Sequence, residues 1–96
     1  LSKLVTNYPA WVRLYSDATS RTADASRTEG NDPTPGSGVI AEIITTSSAL
    51  TQLITPGVLG FNNDTTSTST IYLAVTNKDS VSRVITIDLT ILQLEN

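Results

Sequence analysis

Near the end of the chain, Ile85, Ile87, Leu89 and Ile91 fall on alternate positions, with Thr86, Asp88 and Thr90 between them. Period two is the mark of a strand with one apolar and one wet face. β-Branched residues dominate the stretch and suit a pleated surface. The pattern predicts one long strand within residues 81–96, roughly 45 Å in reach at ~3.3 Å per residue. At its end the phase changes: Leu92 and Leu94 fall on the opposite face, with Gln93 where another apolar residue is due. A bulge there accounts for the shift. So does apolar surface supplied by another subunit.

The same reading finds five earlier strands. Residues 1–6 form a first one, ended by Asn7-Tyr8-Pro9, because proline lacks a donor and holds the preceding residue extended. Residues 10–15 follow, with Val12 and Leu14 on one face and Trp11, Arg13 and Tyr15 on the other. Either one face packs in the core while the aromatic stems lie along the edge of the sandwich, or these three form an exposed contact surface for a partner or a glycan. Residues 39–45 and 50–55, joined by Thr46-Ser47-Ser48-Ala49, read as an antiparallel hairpin. Residues 70–76 carry Ile71, Leu73 and Val75 inward. The turn Asn77-Lys78-Asp79-Ser80 then leads antiparallel into the C-terminal strand. Leu59 and Phe61 are expected to close one end of the core.

Residues 16–38 are the exception, one long irregular loop ending in turn chemistry from Gly30 to Gly38. Ser16 and Ser20 are candidate N-caps, and Ala23-Asp24-Ala25 has room for a single helical turn. Arg21, Asp24 and Arg27 lie three apart, the spacing of a local salt bridge that pins the loop. A connection of this length in so small a domain is usually functional or packed on a neighbour.

Six strands separated by Gly, Pro, Asn and Ser turns predict an all-β fold. The expectation is a single domain over residues 1–96, an antiparallel β-sandwich of about six to eight strands, jelly-roll-like or immunoglobulin-like. The Cys-Trp-Cys hallmark of immunoglobulins is missing.

Composition narrows the chemistry. The 96 residues contain neither cysteine nor histidine. That removes disulfides, thiolate metal sites and the common nucleophile systems built on histidine. A net charge of −3, with six scattered basic residues, argues against a nucleic-acid partner. No apolar run approaches the length of a membrane span. Charged residues make up only 16 %, while Ser and Thr exceed a quarter of the chain, which leans toward a durable extracellular or particle-bound module. Of the nine acids, Glu42 alone lies mid-strand among apolar neighbours. Asn62-Asn63-Asp64 offers oxygens, but the spacing of a calcium loop is missing. No catalytic residues, cofactor or metal are expected, and the chain reads as a binding or structural module.

The run AWVRLYSDATSRTADASRTEGNDPTPGSGVIAEIIT, then LITPGVLGFNND, IYLAVTNK and ITIDLTILQLE, resembles small β-sandwich structural proteins of tailed bacteriophages, cyanobacterial phages among them. The resemblance lies in the pattern of strands and linkers, and no functional motif is carried over with it. It implies a non-enzymatic virion component: a capsid decoration (cement) protein that bridges neighbouring subunits, or a piece of tail, baseplate or fibre. The partners it implies are the major capsid protein or tail proteins, with a homo-oligomer of this chain. Bridging subunits requires exposed apolar and aromatic surface, and the expected interface is Trp11, Arg13 and Tyr15 together with Leu92, Leu94 and the 16–38 loop. The rival is a carbohydrate- or receptor-binding module, with Trp11, Tyr15, Tyr8 and Tyr72 as stacking rings and Asn62, Asn63 and Asp64 as hydrogen-bonding partners.

Overall fold

The structure, a computed structural model, describes residues 1–31, 33, 36–54, 57–63 and 70–91. Six strands and one short helix follow in the order β1 (Lys3–Thr6), β2 (Ala10–Tyr15), α1 (Ala18–Ala23), β3 (Val39–Ile44), β4 (Thr51–Leu53), β5 (Tyr72–Asn77) and β6 (Ile87–Thr90). They form two three-stranded antiparallel sheets, ordered β4-β1-β6 and β3-β2-β5. All-β architecture with sandwich-like packing is the expected class.

The strand order has a simple origin. β1 and β2 are the central strands, and they are consecutive, joined at Asn7-Tyr8-Pro9. β3 and β4 flank them on one side and β5 and β6 on the other. Each pair contributes one strand to each sheet. The six described strands therefore amount to three long ones, each bent once, with the bends side by side. Strands that change sheets at a corner are a recognised way to build a small sandwich.

Hydrogen bonding continues through the bend. The Thr45 amide donates to the Ala10 carbonyl at 2.8 Å, the Thr6 amide to Leu50 at 3.0 Å and the Lys78 amide to Pro9 at 3.0 Å. Asn7 braces the last chain with its side chain, donating to the Val84 carbonyl at 3.1 Å and accepting from the Thr86 amide at 2.8 Å. At the centre, Thr45 Oγ1 accepts from the Ala10 amide at 2.9 Å and lies 2.7 Å from Thr6 Oγ1. Both threonines are buried, so these bonds satisfy groups that water cannot reach.

This arrangement corrects two sequence expectations. The predicted hairpin over 39–45 and 50–55 is not one, because β3 and β4 belong to different sheets. Only Thr46 and Ala49 bridge, at the turn itself. The predicted hairpin between β5 and the C-terminal strand is likewise a crossing between sheets. Alternation tells which residues face inward, and that is equally true of a strand paired with its neighbour and of one that has turned a corner.

One core fills the space between the sheets. Leu4 from β1, Ala10, Val12 and Leu14 from β2 and Ala41 from β3 are buried together, with Ile40, Ile43, Val58, Leu73, Ile85, Ile87 and Leu89 packed against them. The C-terminal strand begins later than predicted. Among the described residues regular pairing covers Ile87–Thr90, Val84 is 86 % exposed and Ile91 is also exposed; residues 92–96 of the predicted strand lie outside them. Leu73 packs inward as expected, whereas Ile71 and Val75 are exposed at the edge of their sheet.

Candidate functional site

The face of β2 opposite the core is where the structure departs most from expectation. Trp11, Arg13 and Tyr15 are 5 %, 6 % and 2 % exposed. The contact surface expected from these three is an internal face, covered by residues 17–31 of the same chain. β2 is thus buried along its whole length, with a sheet on one side and a polar segment on the other. Leu92 and Leu94, the rest of the expected interface, lie outside the described residues.

The covering segment begins with α1. Asp17, not Ser16 or Ser20, is its N-cap, accepting from the Ser20 amide at 2.7 Å, which lowers the Asp17 pKa. Gly38 closes the base of the loop: its carbonyl accepts from the Ser16 amide at 2.9 Å, and its φ of +84° is a value that side-chain-bearing residues rarely take. After the helix the chain brings Asp24 and Arg27 over β2. Arg27 grips Asp24 with a two-pronged contact, Nε to Oδ1 at 2.9 Å and Nη2 to Oδ2 at 3.1 Å. Its Nη1 reaches Glu42 Oε1 on β3 at 3.0 Å and the Asn31 carbonyl at 2.6 Å. The same Glu42 oxygen accepts from the Trp11 indole at 2.6 Å. Tyr15 donates to Asp24 Oδ2 at 2.5 Å.

Two guanidiniums attend the indole, Arg13 stacked at 3.8 Å from the Trp11 ring centroid and Arg27 at 5.4 Å. Arg13 Nη2 donates to Thr76 at 2.8 Å, and its Nε is buried without a hydrogen-bond partner. Register explains the set. Arg13 pairs directly with Glu42 on β3 and with Ala74 on β5, so all three project to one face.

The charges in this cluster balance, with Arg13 and Arg27 against Asp24 and Glu42. Hydrogen bonding from Arg27 is the main cause that holds the Asp24 carboxyl below its usual range, and Tyr15 assists. The Tyr15 phenol is pushed from 10.0 to about 12, first by burial and then by its bond to Asp24. Arg27 is raised further above an already high value, chiefly by Asp24. Trp11, Tyr15, Asp24, Arg27 and Glu42 are each hydrogen-bonded within the cluster, as in a structural tie.

The sequence spacing identified the Asp24–Arg27 pair, but Arg21 does not join it. Arg21 turns to β5, over the Tyr72 ring at 5.4 Å and toward the Leu73 carbonyl at 3.5 Å. Glu42, conspicuous as the mid-strand acid, is explained by its bonds to Trp11 and Arg27.

The exposed apolar surface lies elsewhere, on a strap that runs over the open end of the sandwich. The Val58 amide donates to Leu1 at 2.9 Å and the Asn63 amide to Ser16 at 2.7 Å, so residues 57–63 span from the start of β1 to the end of β2. Gly60 lies against Ile40, where a Cβ would come within 2.6 Å of Ile40 Cγ2. Val58 packs on the core, and the alternate residues point away: Leu59 is 81 % and Phe61 68 % exposed. The expectation that these two close the core is corrected. The available signal is the same period of two, with Val58, Gly60 and Asn62 on one side and Leu59 and Phe61 on the other. Further exposed apolar residues are Leu53 on the outside of β4, and Val81 and Val84 at the bend before β6.

The rings proposed for glycan stacking are occupied within the chain. Tyr72 lies beneath Arg21, and Tyr8 lies beneath Arg83 at 4.5 Å. Asn63 Nδ2 faces Asp17 Oδ2 at 3.4 Å, and Asp64 lies outside the described residues. No group of three or more acidic side chains is placed to hold a metal ion among the described residues. Compared with protein-family models, curated proteins and solved structures, the chain has no match.

Proposed function

We propose that this chain is a non-enzymatic assembly module that works by contact with other protein subunits. In its specific form, following the resemblance in the sequence, it is a structural component of a tailed-phage virion: a capsid decoration protein that bridges neighbouring subunits, or else a tail, baseplate or fibre component. The observation that carries the reading is the strap, with Leu59 and Phe61 both exposed, held at both ends and seated on Ile40. Large apolar side chains held outward on a braced segment cost solvation until a partner covers them, and aromatic anchors of this kind dominate interface energetics. The β2 face supports the reading indirectly, since Trp11, Arg13 and Tyr15 are buried beneath the chain's own residues.

The test is sedimentation of intact particles from the natural source, with light scattering of the isolated chain. The reading expects the chain to travel with a large particle at fixed stoichiometry, and its copy number separates a shell, with hundreds, from a tail, with few. Leu59→Ser combined with Phe61→Ser is expected to leave the fold intact and abolish incorporation. A free monomer found in no particle overturns the reading and directs attention to glycan screening.

A further inference from the structure

Residues 17–31 are attached to the molecule in an unusual way. Every described backbone hydrogen bond they make closes within the segment itself: Arg21 to Asp17, Asp24 to Ser20, Ala25 to Thr22, Arg27 to Asp24 and Asn31 to Thr28. Helix α1 buries none of its residues, and in the whole segment only Asp24 is buried. No apolar side chain anchors it to the core. Its hold on the sheet runs through polar and charged side chains: Asp24 to Tyr15, Arg27 to Glu42 and over Trp11, Arg21 to Tyr72 and the Leu73 carbonyl, Glu29 to Lys78, and Asp17 to Asn63. Beneath it lies an aromatic and cationic face, Trp11, Arg13 and Tyr15, on the side of β2 opposite the core.

We infer that residues 17–31 are a charge-latched lid, which opens as a unit while both sheets stay folded and so uncovers Trp11, Arg13 and Tyr15. A segment with few buried apolar contacts belongs to the low-stability end of a structure, where opening precedes global unfolding. The Asp24 carboxylate of the latch makes its hold depend on pH. Asp24 faces Arg27 on its own segment and Tyr15 and Arg13 on β2; Glu42 on β3 faces Arg27, the Trp11 indole and Arg13. Because the folded-state pKa of Asp24 is depressed, its contribution is complete above the ordinary carboxylate range and is lost as pH falls through the lowered value. Protonation there leaves Arg27 without the partner that orients it toward Glu42. The outlying Glu29–Lys78 pair, at 2.5 Å but exposed on both sides, adds little. The inference is independent of the proposed function.

Trp11 is the only tryptophan, so its fluorescence reports the lid alone. The experiment follows iodide quenching of Trp11 and hydrogen exchange of the β2 and β1 amides in the full chain as pH is lowered. The expected result is a several-fold rise in quenching, with emission moving to the red, at a pH where the sheet amides remain protected. Arg27→Met keeps the stem over the indole and removes the latch; it is expected to give the same open state at neutral pH, with faster tryptic cleavage at Arg21. Carbodiimide coupling of Lys78 to Glu29 ties the lid down covalently and is expected to suppress the acid response. Coincident loss of Trp11 shielding and sheet protection in the acid titration overturns the inference, whatever the variant does. So does an acid response that persists in full in the tethered protein.

Discussion

β1 and β2 are two halves of one bent strand, and they meet water differently. Along β1, Leu4 and Thr6 are buried while Lys3 and Val5 reach outward, the alternation of a strand with one wet face. Along β2 every residue is buried. The sequence of each half alternates, yet among the described residues only β2 carries a covering segment, because residues 17–31 return over it with Asp24 and Arg27. The two sides of β2 are also held by different forces. Ala10, Val12 and Leu14 are buried by the hydrophobic effect and by close packing. Trp11, Arg13 and Tyr15 are shielded by side chains whose charges and hydrogen bonds must all be matched. The apolar side is robust to salt and pH. The polar side is conditional on both.

Substitution across the bend sharpens this difference most. Leu4→Ala and Leu14→Ala, both facing the core, are each expected to cost ~2–5 kcal/mol in urea unfolding. That is a large share of the ~5–15 kcal/mol typical of a domain. On the outward faces the halves separate: Trp11→Ala on β2 is expected to cost ~3–5 kcal/mol, while Val5→Ala on β1 costs about 1 kcal/mol. Equal costs at Trp11 and Val5 would break the comparison.

At the bend, Thr45→Val keeps the shape and removes the hydroxyl that meets Thr6 and Ala10. The expected loss is about 1–3 kcal/mol, because buried partners are left unsatisfied. Chemical denaturation measures it, and an unchanged midpoint would mean that the bend does not depend on this contact. Tyr15→Phe is expected to cost about 1 kcal/mol at neutral pH, the net value of one hydrogen bond. It also has a signature in alkali. The Tyr15 pKa rises from 10.0 to about 12 on folding, so the wild type holds this stability below pH 10 and loses it between 10 and 12. The phenylalanine variant is expected to lack that loss, which stability curves over the alkaline range would reveal. The smallest effect belongs to the strap. Leu59→Ser with Phe61→Ser is expected to change unfolding free energy by no more than about 0.5 kcal/mol, as surface positions do. A large destabilisation there would place the strap in the core after all.

How far the sequence could be read depended on how local the cause was. β2 was legible to the residue, and the Asp24–Arg27 pair followed from helical spacing, since both are set by near neighbours in the chain. The N-cap falls on Asp17, one residue after Ser16 and three before Ser20, and the sequence does not single it out because all three side chains are competent caps. Hydrophobicity alone points Leu59 and Phe61 inward. Gly60, which seats the strap on Ile40, reverses that only when Ile40 is known to lie beneath it. The aromatic face of β2 read as a contact surface because nothing in its own six residues announces that a segment begun two residues later folds back over it.

By itself the sequence determined that this chain makes strands, where most of them lie and which side of each is apolar, because those properties follow from period two, β-branching and proline. It also determined that any catalysis would have to proceed without histidine or cysteine. The tertiary structure decided which strands pair, that three of the connections turn corners between sheets, and that Trp11, Arg13 and Tyr15 lie under a polar cover while Leu59 and Phe61 stand in water. These outcomes rest on contacts between residues distant in the chain, such as Thr6 with Thr45 and Trp11 with Glu42. A local pattern records that a side chain needs a partner; only the folded chain supplies which one.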